Sequence, residues 1–153
     1  MRLALARQTD FTPTPAQFER GITDADVSVR RAWVLRTDYI GVTALQIERG
    51  LIDKDPEVRV AWAYRPDFTA TPQQIERGLT DECYEVRIMW ARRTDFTPTQ
   101  VQIERGLTDE SWLVREIWAQ RMDYTPTAQQ LERGLMESGR NNRLYWARRA
   151  DYT

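Results

Sequence analysis

The residues in this chain that could do chemistry are carboxylates and arginines, and most of them recur every 28 or 29 residues. Paired carboxylates can serve as general acid and base, and a row of arginines can bind phosphate. Each arginine of the recurring set, however, comes with a carboxylate at a fixed spacing. We therefore interpret the charges as a structural ladder, with phosphate binding as the alternative. In the first copy, the recurring charges are Glu19, Arg20, Asp24, Arg30, Arg36 and Asp38.

Other catalytic groups are scarce. The 153 residues include no histidine and a single cysteine, Cys83. These counts exclude a histidine base, a Ser-His-Asp triad, a histidine-bound metal, a cysteine-ligated zinc and an internal disulfide. The sequence also has no glycine-rich phosphate loop and no nucleophile with a base. We therefore expect no enzymatic activity and no cofactor, and we interpret Cys83 as a small structural residue, with a reactive thiol as the alternative.

The composition is that of a folded chain, with 41% hydrophobic and 29% charged residues. The formal net charge of −1 indicates neither a polybasic nucleic-acid binder nor an acidic mimic. No apolar run approaches the roughly 18–20 residues of a membrane span, and the first seven residues are too short and too charged for a secretory signal. We expect a cytoplasmic chain with one domain, residues 1–153, and no membrane partner.

A tandem repeat sets the spacing of the charges. A Glu-Arg-Gly triplet occurs five times, and a tryptophan and an Asp-aromatic pair follow the same period. The copies cover residues 11–38, 39–67, 68–95, 96–123 and 124–153, after a half copy over residues 1–10. The last copy has Asn142 where earlier copies have a core valine, which is typical of a capping repeat.

Each copy is predicted to form two short helices and no strand. Thr14-Pro15 is typical of an N-cap followed by proline at the first helical position. The first helix then runs for about two turns, and the glycine of the triplet is predicted to end it through a left-handed C-cap. The second helix is predicted over about 25–36, with Thr23-Asp24 as its N-cap.

A two-helix unit of this length cannot bury its apolar face alone, whereas stacked copies can. The tryptophans lie on the valine face of the second helix, so we interpret them as core, with a stacking platform for bases or a peptide as the alternative. The expected core rows are Phe18, Ile47, Ile75, Ile103 and Leu131; Ile22, Leu51, Leu79, Leu107 and Leu135; Val29, Val58, Val86 and Val114; and Trp33, Trp62, Trp90, Trp118 and Trp146. The predicted fold is all-α, an α-solenoid of about five and a half 28-residue repeats.

The Asp-x5-Arg pattern resembles HEAT-like repeats, and this resemblance implies a ladder between neighbouring units. The residues that match are Asp24, Arg30, Asp53, Arg59, Asp81, Arg87, Asp109, Arg115, Glu137 and Arg143. The Val-Arg-x-x-Trp-Ala-x-Arg stretch followed by Thr-Pro also resembles the leucine-rich-repeat variant. Units of that family pair an α-helix with a short, sometimes 3₁₀, helix, which leaves a 3₁₀ first helix open. Neither family has one function, so the resemblance implies little about activity.

Positions that vary between copies are expected to contact the partner and to determine which partner is bound. Tyr84 and Trp112 occupy equivalent positions in adjacent copies, and we expect them about 10 Å apart on one edge. Exposed there, they would anchor a partner; the alternative is that they fold over the adjacent loop. The candidate partner-binding residues are Tyr64, Tyr84, Glu85, Arg92, Trp112, Leu113 and Arg148.

These features favour a non-enzymatic protein–protein interaction scaffold. The near-identical copies imply recent duplication, which suits a bacterial or phage protein. Nucleic-acid binding is the alternative, because HEAT-like DNA glycosylases use arginine and tryptophan on a concave surface; the net charge argues against it. In that case Arg7, Arg31, Arg92 and Arg148 would contact phosphate. Since the half copy would leave Leu3 and Leu5 uncovered, we expect a monomer or a weak end-to-end dimer.

Overall fold

The computed structural model describes residues 2–8 and 10–150; the predictions made for Met1, Thr9 and residues 151–153 lie outside this range. The described residues form only helices, which confirms the all-α prediction, and the first helix of each copy is α rather than 3₁₀. No described helix is long and apolar enough to cross a membrane. The helices are α1 (Arg2–Arg7), α2 (Pro15–Ile22), α3 (Val27–Val34), α4 (Ala44–Leu51), α5 (Pro56–Tyr64), α6 (Pro72–Leu79), α7 (Tyr84–Arg92), α8 (Gln100–Leu107), α9 (Trp112–Gln120), α10 (Ala128–Leu135) and α11 (Arg140–Ala150).

The chain divides into two compact units, which we call unit 1 (Met1–Trp90) and unit 2 (Ala91–Thr153). In unit 1, α3 packs against both α1 and α5, while α2 packs on α3 and α4 packs on α5. In unit 2, α8 packs on α9, α10 packs on α11, and α11 packs on α9. Within each unit, neighbouring helices therefore pack in series, in the solenoid-like arrangement that the repeat predicts.

A reciprocal capping box begins the first helix of each copy. Thr14 Oγ1 accepts from the backbone N–H of Gln17 at 3.3 Å, and Gln17 Oε1 accepts from the backbone N–H of Thr14 at 2.8 Å. This arrangement confirms the predicted N-cap at Thr14, with Pro15 at the first helical position. The same box is formed by Thr43 and Gln46, Thr71 and Gln74, Thr99 and Gln102, and Thr127 and Gln130.

The second helix of the first complete copy begins two residues later than predicted. Asp26 caps α3 by accepting from the backbone N–H of Ser28 at 2.8 Å. Asp24 instead accepts from the backbone N–H of Asp26 at 2.9 Å, and the Thr23 hydroxyl donates to the Glu19 carbonyl at 2.7 Å. The predicted N-cap at Thr23-Asp24 is therefore wrong, because local side-chain bonds hold these residues in the turn between the helices.

The left-handed C-cap predicted at the glycine is also wrong. Helix α2 continues through Gly21 to Ile22, and among the described residues only Gly41 has a positive φ, of 115°. Gly21 instead lies against the ring of Trp33, where an added Cβ would come closer than 3.0 Å to ring atoms. The glycine permits close approach of the two helices of one copy. The same contact recurs at Gly50, Gly78, Gly106 and Gly134.

The five repeated tryptophans are at most 3% exposed, which confirms them as core residues and excludes a stacking platform. The predicted valine row is buried as well. The prediction is wrong for Leu135, which is 43% exposed, and Leu131 is only half-buried. Both lie on α10, and no further first helix follows α10 within the described residues to cover that side.

Candidate functional site

The first row of arginines joins consecutive copies. Arg30 binds both carboxylate oxygens of Asp53 in the next copy, with two bonds of 2.9 Å. This carboxylate raises the pKa of Arg30 through its hydrogen bonds. Arg59 binds Asp81 and Arg115 binds Glu137 in the same bidentate way. The carboxylate partner therefore comes from the following copy.

Each arginine of this row also binds its own copy, but through the backbone. Arg30 Nη1 donates to the carbonyl of Asp24 at 3.0 Å, at the turn between α2 and α3. The guanidinium thus uses two different edges: one binds the carboxylate of the next copy, and the other binds a backbone carbonyl in the turn of its own copy. The equivalent bonds join Arg59 to Asp53, Arg87 to Asp81, Arg115 to Asp109 and Arg143 to Glu137.

A second row of arginines binds the ends of the preceding second helices. Buried Arg65 donates to the carbonyls of Val34 at 2.6 Å, Arg36 at 3.0 Å and Tyr39 at 2.8 Å. Its remaining donors bind Asp67. The guanidinium thus satisfies carbonyls that a helix C-terminus leaves unpaired. Arg36, Arg121 and Arg149 bind backbone carbonyls in the same manner.

A third row links the first helices; its glutamates and arginines belong to the predicted ladder, whereas sequence reasoning missed its glutamines. The Gln46 amide donates to Glu19 at 2.7 Å, and Arg49 forms an ion pair with the same carboxylate. These two partners, the amide first, lower the pKa of Glu19. Glu48 binds Gln74 and Arg77, and Glu104 binds Gln130 and Arg133. The signal for this row was the glutamine that recurs two residues before each glutamate.

The predicted aromatic anchors are exposed: Tyr64 by 61%, Tyr84 by 39% and Trp112 by 56%. Tyr64, Tyr84 and Glu85 belong to unit 1, whereas Arg92, Trp112, Leu113 and Arg148 belong to unit 2. Glu85, Arg92 and Arg148 are exposed, and Leu113 is half-buried. The predicted spacing of Tyr84 and Trp112 joins residues of different units and stays a prediction.

Cys83 and its neighbours form a small hydrogen-bonded group in unit 1. The thiol donates to Glu85 at 2.9 Å, and burial, followed by this bond, raises its pKa. Glu85 also accepts from the Tyr84 phenol, which raises the pKa of Tyr84 and lowers that of Glu85. A raised pKa keeps the thiol protonated, which argues against the reactive-thiol alternative.

Trp112, the first residue of α9, lies beside two adjoining hollows of unit 2. One has a volume of about 190 Å³ and is lined by Trp112, Glu116, Gly139, Arg140 and Asn142. The other, of about 430 Å³, shares Trp112, Gly139 and Asn142 and adds Glu110, Arg115, Glu137 and Ser138. The indole therefore forms one wall of a cleft at the start of α9 and α11, in which charged and polar side chains border a mostly apolar surface. We call these residues the Trp112 cleft.

Asn142 is the unusual residue of the Trp112 cleft. It is 3% exposed and occupies the position at which Val29, Val58, Val86 and Val114 fill the core of the other copies. Its Oδ1 atom is buried and has no hydrogen-bond partner. A buried acceptor without a donor destabilises a fold, and this one belongs to a residue that lines the Trp112 cleft.

Cationic side chains outside the three rows are few. Arg31 lies 3.6 Å from Glu57, and both are exposed. Arg7, Arg92 and Arg148 are exposed; Arg92 and Arg148 stand two residues after a repeat tryptophan, and Arg7 stands two residues after the equivalent Leu5. Arg92 lines an open hollow of about 770 Å³ with Ile117, Gln120 and Met122. Within the described part of the chain, no cluster of three or more His, Cys, Asp or Glu residues could hold a metal ion.

No family model, curated protein or solved structure matches this chain. The described fold and sites define an all-α repeat protein with solenoid-like packing and an exposed tryptophan beside a cleft. The resemblance to HEAT-like and leucine-rich-repeat-variant units stays a prediction.

Proposed function

We propose that this chain is a non-enzymatic, cytoplasmic interaction scaffold that binds a segment of a partner protein at the Trp112 cleft. The observation that carries the proposal is the pairing of an exposed indole with the unpartnered buried Oδ1 of Asn142. Tryptophan is enriched among the few residues that contribute most of the binding energy at protein interfaces. Five other tryptophans of the chain are buried, so Trp112 is set apart by its exposure.

The cleft selects the chemistry of the partner. Because Asn142 Oδ1 is buried, a peptide N–H group or a side-chain donor of the partner would reach it only once the Asn142 side chain turned toward the cleft. Arg115 and Glu137 offset each other as an ion pair, and the other charged residues that line the cleft are Glu110, Glu116 and the single cation Arg140. This excess of negative charge favours a neutral or cationic segment over an acidic one. An apolar or cationic side chain would then pack on the face of Trp112. The partner is thus a peptide segment that combines a donor with an apolar or basic side chain.

Phosphate binding by the recurring arginines has little support. Arg30, Arg59 and Arg115 each bind a carboxylate with two donors, and Arg65 donates to three carbonyls. Phosphate would have to replace these bonds, most of them at partly buried sites. These bonds concern the recurring arginines only. Arg7, Arg31, Arg92 and Arg148, the residues of the nucleic-acid alternative, are exposed outside these rows, and the net charge of −1 argues against nucleic-acid binding there.

The test is a pull-down from nuclease-treated lysate of the source cells, read by mass spectrometry, with wild type, Trp112→Ala and Val101→Ala as baits. Val101 is exposed on α8 of the same unit and lies outside the Trp112 cleft, so it controls for loss of an apolar surface residue. We expect one protein to be enriched by wild type and Val101→Ala and lost with Trp112→Ala. Equal recovery by all three baits would contradict the assignment to Trp112.

A further inference from the structure

A second, apolar groove lies in unit 1, away from the Trp112 cleft. Its volume is about 480 Å³, and its exposed lining is almost entirely apolar. Helix α1 contributes Leu5 to it, and α2 contributes Gln17, Arg20 and Gly21. Trp33 of α3 closes the floor. The groove therefore exposes apolar surface of one second helix together with the outer side of the following first helix.

The polar rim of this groove carries a glutamine and an arginine whose counterparts in the next copy bind a glutamate. Gln46 and Arg49 of α4 together bind Glu19, a glutamate on the preceding first helix. Gln17 and Arg20 are their counterparts on α2, 29 residues earlier. Within the described residues, neither the Gln17 amide nitrogen nor the Arg20 guanidinium has a carboxylate partner. Gln17 and Arg20 on the rim are thus placed to bind a glutamate, but no described residue supplies one.

The apolar floor also corresponds to a surface that a first helix covers in the other copies. Leu5 takes the position in α1 that Trp33 takes in α3, and each such tryptophan packs against the glycine of a first helix. Leu5 is 37% exposed, because no glycine-bearing helix covers it among the described residues. The smaller leucine also leaves more room than an indole would. The groove has the lining of an empty position for a first helix.

We infer that this groove binds, in trans, a short amphipathic helix that carries the repeat's own first-helix signature, an apolar residue followed by Glu-x-Gly. The glutamate would accept from Gln17 and Arg20, as Glu19 accepts from Gln46 and Arg49. The glycine would lie over Leu5, and the apolar residue before the glutamate would fill the floor.

A second copy of this chain fits the groove less well. Its α10 carries the signature as Leu131, Glu132 and Gly134, but α11 packs directly on α10. In the groove, α11 would need the place that α1 already fills. An isolated helix meets no such obstacle. The inference concerns unit 1 and does not depend on the proposal for the Trp112 cleft.

The direct test uses a fluorescein-labelled peptide with the sequence of residues 70–82, which contains α6 and its caps, and fluorescence anisotropy with the full chain. We expect saturable binding, about tenfold weaker for the peptide with Glu76→Gln, because a charge-assisted hydrogen bond is lost. Arg20→Glu in the chain should abolish binding, and a peptide with Glu76→Arg should restore it. Arg7→Glu, an exposed arginine of unit 1 that does not line the groove, is the matched control and should bind normally.

Because isolated helices of this length are marginal in water, a second measurement removes that obstacle. The same 13 residues, joined to Met1 by a flexible Gly/Ser linker, reach an effective concentration in the millimolar range. We expect this fusion to raise Tm, and the fusion with Glu76→Gln to raise it less. Binding that Arg20→Glu does not affect, or a fusion without any rise in Tm, would overturn the inference. Concentration-dependent dimerisation of the chain that Arg20→Glu abolishes would also overturn it, since the occupant would then be a second copy.

Discussion

The indole of Trp62 packs directly against the backbone of Gly50, so that any Cβ on Gly50 would lie closer than 3.0 Å to ring atoms. This contact joins the two helices of one copy, α4 and α5. It recurs with every tryptophan of the repeat, and it explains why glycine accompanies each of them. The glycine–tryptophan pair sets how closely the two helices of one copy approach.

Replacing Gly50 with alanine should therefore destabilise the fold. Overpacking in a core costs about 1–3 kcal/mol, and here the whole ring or helix must shift, so we expect the upper end. Chemical denaturation monitored by circular dichroism measures the loss. Adding Trp62→Leu, the residue type found at Leu5, should make the double variant more stable than the sum of the single effects predicts.

Gly139→Ala is the matched control for this prediction. The nearest side-chain atom to an added Cβ there is Asn142 Cβ at 3.9 Å, which is ordinary contact. The change adds no clash and should cost no more than about 1 kcal/mol, because alanine is a poorer N-cap than glycine at this position before α11. Equal losses for Gly50→Ala and Gly139→Ala would refute the steric explanation.

The inter-copy bonds of buried arginines should contribute far more to stability than those of exposed arginines. Arg59→Ala leaves Asp81 without its bidentate partner at a site where both side chains are at most 10% exposed, so we expect a loss of about 3–5 kcal/mol. Arg77→Ala removes an exposed pair with Glu48 and should cost about 0.2–1 kcal/mol. Urea midpoints of the two variants compare them directly, and similar losses would contradict the dependence on burial.

Because the glutamates of the third row have lowered pKa values, we expect the fold to lose stability at acid pH. Hydrogen bonds and charge from Gln46 and Arg49 lower the pKa of Glu19, and Arg77 and Gln74 lower that of Glu48. A lowered pKa means that the carboxylate contributes stability that is complete above its unfolded pKa, about 4.5. That contribution disappears as pH falls through the lower folded pKa.

We therefore expect Tm to be constant from pH 7 to about 5 and to fall below about 4.5. Thermal melts across this range provide the measurement. Glu48→Gln should lower Tm at neutral pH and show a shallower decline in acid, because one titrating group is gone. Glu132→Gln is the control, since Glu132 is exposed on α10, and its acid profile should match wild type. A steeper decline for Glu48→Gln would argue against this row as a source of acid sensitivity.

Asn142→Val should separate stability from binding. Valine restores the residue of the other copies and removes a buried acceptor without a donor, so we expect a gain of about 1–3 kcal/mol in the free energy of unfolding. If the proposed function is correct, capture of the partner should fall at the same time. Trp112→Ala should reduce capture with little change in stability, because more than half of its surface is exposed. A less stable Asn142→Val variant would show that the amide supports the fold.

Local signals determined the helices. The threonine, proline and glutamine around Thr14 specify a capping box from neighbouring residues alone, and the spacing of Val29 and Trp33 puts both on one helix face. The fixed period then implied stacked copies, because one two-helix unit cannot bury its own apolar face. The tertiary structure altered only local details, such as the start of α3 at Val27.

The partners of the side chains were decided by the tertiary structure. Whether Arg30 binds a carboxylate of its own copy or Asp53 of the next depends on the distance between stacked helices, which no spacing along the chain specifies. The exposure of Trp112 and the burial of Asn142 likewise depend on which surfaces meet around α9 and α11. The sequence by itself determined the repeat and its helices, because caps and helix faces follow from contacts between near neighbours. It predicted the buried tryptophans only through the stacking that the fixed period implies. The glutamate-binding rows, the empty groove beside Leu5 and the Trp112 cleft arise only where distant parts of the chain come together.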